Sequence, residues 1–179
     1  MKHTGENIYI RPLEVSDAEA MLALNIKNKD FFQLYSPTKK EEFYTLEKHQ
    51  AMLQKSAEDR EQGQRYMFGI FLKETGALIG DVTLSGIMRG ALESCMLGYA
   101  LDQEYNGKGY MTEAVRLAVD FAFQELKLHR IEAGVMPRNI GSMRVLEKAG
   151  FHKEGIGVEN VKINGKWEDH QILAIINRA

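Results

Sequence analysis

Apolar and polar positions keep one rhythm ahead of Arg65 and another after it. In the first part, Ile8 and Ile10 share one face of a short strand over 8–12. Ser16-Asp17-Ala18-Glu19 then reads as a capping box, with Ser16 as N-cap and Glu19 three residues on. The helix behind it turns Ala20, Met21 and Leu24 inward, with Phe31 farther along that side, and Pro37 ends the region. A second helix over 45–61 faces Leu46, Leu53 and Ala57 to the core and its charges to water.

After Arg65 the period drops to two. Residues 66–72, 78–85 and 93–101 are strands, separated by turns at Thr75-Gly76 and 86–90, and turns this short predict an antiparallel meander. Residues 111–125 form a helix that is apolar nearly all round, so most of it is buried. A strand over 129–136 follows. A helical connection makes the strands on either side of it parallel, with a right-handed crossover. Gly150 stops a further helix over 140–149, and two closing strands flank the hairpin dipeptide Asn164-Gly165. The whole chain, 1–179, reads as one α/β domain: a mixed, mostly antiparallel sheet with one parallel β-α-β crossover and about four helices.

Composition narrows the function. A 44% hydrophobic, 27% charged chain of 179 residues is an ordinary globular protein able to bury a core. A net charge of −2 carries no nucleic-acid footprint. Neither a signal-peptide core nor a membrane-spanning run is present, so the expected setting is the cytoplasm. The single Cys95 makes no internal disulfide and removes a cysteine-based metal site, and the five histidines lack ligand spacing, so no metal is expected. Monomer and homodimer both stand.

The chemistry concentrates at Tyr105-Asn106-Gly107-Lys108-Gly109-Tyr110-Met111-Thr112, a glycine-rich turn running from a strand into the buried helix. Glycines let the backbone turn tightly and approach a ligand, and the helix start adds unpaired N–H donors and the positive end of its dipole. That combination suits a phosphate-bearing cofactor. A P-loop is excluded for want of Gly-x-x-x-x-Gly-Lys-Ser/Thr, and a dinucleotide fingerprint needs a third glycine where Thr112 stands. At the end of the next parallel strand comes Asn139-Ile140-Gly141-Ser142, with Asn139 a natural N-cap. Both segments face one crevice, the end of a sheet where ligands bind.

These segments together resemble the GNAT superfamily of acyl-CoA-dependent N-acetyltransferases, and within it the RimJ/RimL branch that acetylates the N-terminal residue of ribosomal proteins. The resemblance runs from Ile10-Arg11-Pro12-Leu13 through Leu97-Gly98-Tyr99, Gly107 to Ala114 and His129 to Ala133, to Asn139-x-x-Ser142 and Gly150-Phe151. Asn106 and Met111 depart from the usual turn pattern, a glutamine or arginine first and a small residue last. The resemblance implies the acyl-CoA N-acyltransferase fold and acetyl-CoA as cosubstrate. Main-chain groups of Leu97 to Leu101, Tyr99 included, would hold the pantetheine arm, with Asn139 on the other side. Residues 106–112 would wrap the pyrophosphate: Asn106, Gly107, Lys108, Gly109, Tyr110, Met111 and Thr112. Lys108 reads equally as a phosphate ligand or a solvated loop charge.

The implied acceptor is a primary amine, by this resemblance a protein N-terminus, attacked directly in a ternary complex. A small amine, a non-catalytic acyl-CoA sensor and a phosphate module of another kind remain alternatives. Leu146 stands where many superfamily members carry a tyrosine acid; in the RimJ/RimL branch the serine of Asn-x-x-Ser is the proposed donor, which falls on Ser142. Ser142 reads also as a helix-start hydrogen bonder. For the base, Glu93 at the head of the pantetheine strand is the first candidate, with Glu132, Glu168 and Asp169 behind it; each reads more simply as a solvated or salt-bridged surface carboxylate. Phe31, Phe32, Tyr35 and Trp167 either shape an acceptor groove or pack the core.

Overall fold

β5 (Ser94–Leu101) and β6 (Arg130–Val135) are the one parallel pair in an eight-stranded sheet, and they lie side by side for three residues only, Ser94 to Met96 against Arg130 to Glu132. The computed structural model describes every residue from Met1 to Ala179. Before the pair come β1 (His3–Thr4), β2 (Ile8–Pro12), β3 (Tyr66–Leu72) and β4 (Leu78–Met88); after it come β7 (His152–Ile163) and β8 (Lys166–Ile176). The order across the sheet is β1-β2-β3-β4-β5-β6-β8-β7. β5 follows β4 out to Leu101, while β6 follows β8 along its whole length, so beyond Met96 and Glu132 the sheet forks. One edge of each diverging strand is left without a strand partner.

The helices are α1 (Ala18–Lys27), α2 (Lys29–Phe32), α3 (Leu46–Glu61), α4 (Tyr110–Gln124) and α5 (Ile140–Lys148). They divide the core by face. Val82, Leu97, Ile131, Ala133, Val135 and Leu173 pack with α4 and α5 in one cluster. Met67 and Phe71 pack with α1 and α3 in the other. α4 is held hardest: Phe121 meets Tyr66 and Phe68 edge to face at 5.1 and 5.2 Å. Full burial of a ring of this size contributes about 1.5–3 kcal/mol, and the polar positions Arg116, Asp120 and Gln124 form its exposed stripe.

The antiparallel meander, the parallel pair and the closing hairpin stand as expected. The N-terminal capping box does not involve Ser16 and Glu19. Asp17 is the residue that accepts the Glu14 N–H, at 2.8 Å, because Arg11 already grips its carboxylate with two bonds of 2.8 and 2.9 Å. The chain therefore enters α1 through a single 3-10 turn over Val15–Asp17, and Ala18 rather than Ala20 is buried. β4 runs three residues past Ser85, to Met88, through an irregular stretch of its pairing with β5. α3 buries His49 and Ser56 beside Leu53. His49 fits there because its two ring nitrogens meet the Thr45 carbonyl at 3.0 Å and Asn25 at 2.9 Å.

Candidate active site

The glycine-rich turn begins where β5 ends. Asp102 is buried, donates its N–H to the Ile79 carbonyl and accepts the Glu104 N–H at 3.1 Å. Lys27 from α1 bridges Asp102 and Glu104 at 2.8 and 2.6 Å, and the Asn28 side-chain Oδ1 accepts the Gln103 N–H at 2.9 Å. The turn is thus anchored before it reaches its glycines. Gly107 and Gly109 have φ of 81° and 83°, in the left-handed region that side chains disfavour. A Cβ at either would meet nothing of the protein within 4 Å; it would project into the open space beside the turn.

None of the six main-chain N–H groups from Gly107 to Thr112 has an acceptor in the protein. The first three residues of α4 account for half of these, since the first turn of a helix lacks intrahelical partners and Gly109, as N-cap, has no side chain to supply one. Six unpaired donors in succession, at the positive end of a 15-residue helix, make a strong anion cradle.

The cradle opens into a cleft of about 620 Å³. Its walls include Tyr99, Ala100 and Leu101 from β5, the residues Asn106, Gly107, Gly109, Tyr110, Met111 and Thr112, and Asn139, Gly141 and Ser142 at the start of α5. Phe31, Phe32 and Tyr35 close it from the α2 side, so these rings lie at the cleft and not in the core. Leu97 instead turns its side chain into the main core, and Lys108 stands outside the wall with its ammonium 5.8 Å from the Tyr105 ring. Trp167 is exposed on the hairpin, away from the cleft wall.

Ser142 is not alone. Its hydroxyl lies 2.6 Å from the Tyr99 hydroxyl, which also donates to the Ser142 carbonyl at 3.2 Å. Burial pushes the Tyr99 phenol up to about 12, so it stays protonated at neutral pH. Asn139 caps α5 by accepting the Ser142 N–H at 3.3 Å, which leaves its amide NH2 without a protein partner. Leu146 is fully buried and contributes packing alone.

Glu93 is not brought to the cleft. It sits in a tight turn with φ 42°, at the closed end of the β5–β6 pair, while the cleft opens beyond the other end of β5. Its carboxylate takes bonds of 3.0 Å from Arg89 and from the Gly90 N–H, which hold it below the usual carboxylate range and make it a weak base. The other carboxylates are also engaged: Glu132 with Arg130 at 2.9 Å, Glu168 with Arg138 at 3.3 Å and Lys166 at 3.8 Å, and Asp169 with the Glu159 N–H at 2.8 Å. Cys95 lies in the core, where burial pushes its thiol up to about 12, so it offers no nucleophile.

Two cleft residues escape a sequence reading. Arg144 and Lys148 follow Ser142 along α5, four residues apart and hence on one face, and both line the cleft. The spacing was visible, but surface cations on a helix are too common to single out. No group of three or more histidine, cysteine or acidic side chains is gathered as a metal site, and no helix is long and apolar enough to cross a membrane.

The chain matches the acetyltransferase (GNAT) domain family over residues 7–152. It is 60% identical over 173 residues to a probable N-acetyltransferase, YjcK, of Bacillus subtilis, covering 97% of this chain and 96% of that one. Ribosomal-protein-S5-alanine acetyltransferase from Vibrio fischeri superposes with a TM-score of 0.95 at 33% identity, covering 99% of this chain and 97% of the other. RimJ of Mycobacterium smegmatis, solved in complex with CoA-disulfide, gives 0.90 at 27% identity, over 94% and 81%. The protein belongs to the GNAT family and is an N-acetyltransferase with relatives among the RimJ/RimL-type ribosomal-protein acetyltransferases.

Proposed function

We propose that the protein acetylates the N-terminal α-amino group of a protein, with acetyl-CoA as donor, by direct attack of the amine. The observation that carries the donor is the run of six unpaired amides from Gly107 to Thr112. The residues fit the group: two adjacent phosphates need many donors in a small arc, and the glycines leave that arc free of side chains. Arg144 and Lys148 supply positive charge along the same wall. The unpartnered edge of β5 and the free Asn139 amide would hold the pantetheine arm as an added strand would be held.

Bound acetyl-CoA supplies the thioester carbonyl. Ser142, polarised by the protonated Tyr99, offers a hydroxyl to the sulfur as negative charge develops there. A thiolate with a pKa near 8.5 needs little more help than that. The amine must arrive neutral, and an α-amino group, with a pKa of about 8 against about 10.4 for lysine, loses its proton far more readily. The relatives named for ribosomal protein S5 alanine support the same acceptor class.

Acceptor profiling tests this. Peptides beginning with alanine or serine should be acetylated with kcat/KM well above that of polyamines, aminoglycosides and free amino acids. Turnover of small amines alone would replace the protein acceptor with a small-molecule one.

A further inference from the structure

We propose that His170 is the general base that takes the proton from the acceptor amine; this rests on the acetyltransfer reading above. Ile131, Ala133 and Val135 of β6 point into the α4–α5 core, so Glu132 and Gly134 face the opposite side, the side of α1 and α2. β8 pairs Ala174 with Glu132 and Ile172 with Gly134, and His170 continues that face by one more step. Its ring lies beside Gly134: a Cβ there would stand 3.7 Å from the His170 Cβ and 3.9 Å from its Cδ2.

That is the mouth of the fork. Met96 and Glu132 are the last paired residues, and the next two on their face are Gly98 and Gly134. Both are bare, and a Cβ on Gly98 would meet nothing within 4 Å. Where the strands part, the face beside Gly98 is open, and the His170 ring borders it from the β6 side, next to but outside the residues that line the 620 Å³ cleft. The hairpin that carries His170 also docks on the acceptor side: the Asn164 amide donates to the Gln33 carbonyl at 2.7 Å and its side chain meets the Thr38 hydroxyl, just past the α2 rings that close the cleft.

The hydrogen bonds fix the tautomer. His170 Nδ1 lies 3.1 Å from the Glu168 main-chain carbonyl, which can only accept, and 2.9 Å from the Asn160 carbonyl oxygen. Nδ1 therefore carries the proton of the neutral ring, and Nε2 presents its lone pair. Nε2 has no partner in the protein, yet it is not sealed from solvent-accessible space. The carboxylates on the strands around it, Glu132 and Glu168, are tied to arginine and lysine, and Glu159 and Asp169 lie on the exposed side of the hairpin. In the step itself the amine nitrogen forms its bond to the acetyl carbon, the C–S bond breaks, and the amine proton passes to Nε2. The sulfur leaves as a thiolate bonded by Ser142 and takes its proton from solvent, to which His170 returns the one it gained.

His170→Asn tests this, because the asparagine amide can still donate to the Glu168 carbonyl while the Nε2 lone pair is gone. Turnover should fall about 100-fold, CoA affinity measured by calorimetry should stay within about threefold, and added imidazole should recover part of the rate in the variant alone. Independently, long-range 1H–15N spectra of the unaltered protein without CoA, with the His170 ring assigned through the variant, should show a protonated Nδ1 and a bare Nε2 at pH 8. Turnover by His170→Asn within about threefold of the parent, or a proton on Nε2 in the spectra, would overturn the assignment. If the variant fails to fold, the spectra decide. Failure of the unaltered protein to bind CoA would strike the donor reading instead.

Discussion

The two arms of the fork do their work with different materials. The β5 arm leads to main-chain donors: six amides whose positions are set by two glycines and the start of one helix. Side chains hardly enter that turn, so Asn106 and Met111, where the family usually has other residues, should leave CoA binding intact. The other groups are side chains brought together from elements far apart in the sequence, His170 of β8 beside Gly134 of β6 and Ser142 of α5 against Tyr99 of β5. Cofactor affinity should therefore depend on backbone conformation, and acceptor chemistry on individual functional groups.

Substitutions can break that division or sharpen it. Gly109→Val should have the largest effect. A β-branched residue at φ 83° strains the turn by about 1–2 kcal/mol and thrusts a side chain toward the phosphates. CoA affinity should fall about 100-fold or more in calorimetry, with the fold kept by circular dichroism. Ser142→Ala should lower kcat roughly 10- to 100-fold and leave CoA affinity within about threefold. Tyr99→Phe should cost less, and the double variant less than the sum, since the two hydroxyls act as one unit.

A smaller change is expected for Arg144→Gln with Lys148→Gln: a rise of about tenfold in KM for acetyl-CoA, shrinking as salt is added. Asp81 offers a pH test of stability on the α1 side of the sheet. Desolvation pushes this half-buried carboxyl up to about 6, opposed by a long bond from Thr83 at 3.4 Å and by the positive charge of Arg65. A raised carboxyl favours the neutral form, so the folded state loses stability as pH rises from about 4 to about 6 and the deficit persists above that. Asp81→Asn should raise the Tm at pH 8, by up to about 3 kcal/mol of stability, and change it little at pH 3.5. The smallest effect belongs to Glu93→Gln: kcat and KM within about twofold of the parent, because this carboxylate serves Arg89 and the turn at the closed end of the sheet.

Local signals were the ones legible in the sequence. The meander, the buried α4, the glycine turn and the Asn139 cap all follow from neighbours within a few residues, and they located one wall of the cleft. The misreadings were matters of distance across the fold. Glu93 heads the strand that approaches the cleft, but the chain direction sets it at the far end of that strand. Ser16 lost its capping role to Asp17 because Arg11, on β2, reaches that carboxylate. The partnership of Tyr99 with Ser142 joins residues 43 apart in sequence, and His170 gains its meaning from a glycine on another strand.

The central claim is that the amides of Gly107 to Thr112 hold the diphosphate of coenzyme A. Backbone 1H–15N spectra recorded while CoA is added measure this directly. These six resonances should move together as the site fills, and pantetheine, which lacks the diphosphate, should leave them in place. Binding of CoA with the six unmoved, or no binding at millimolar CoA, would contradict the claim.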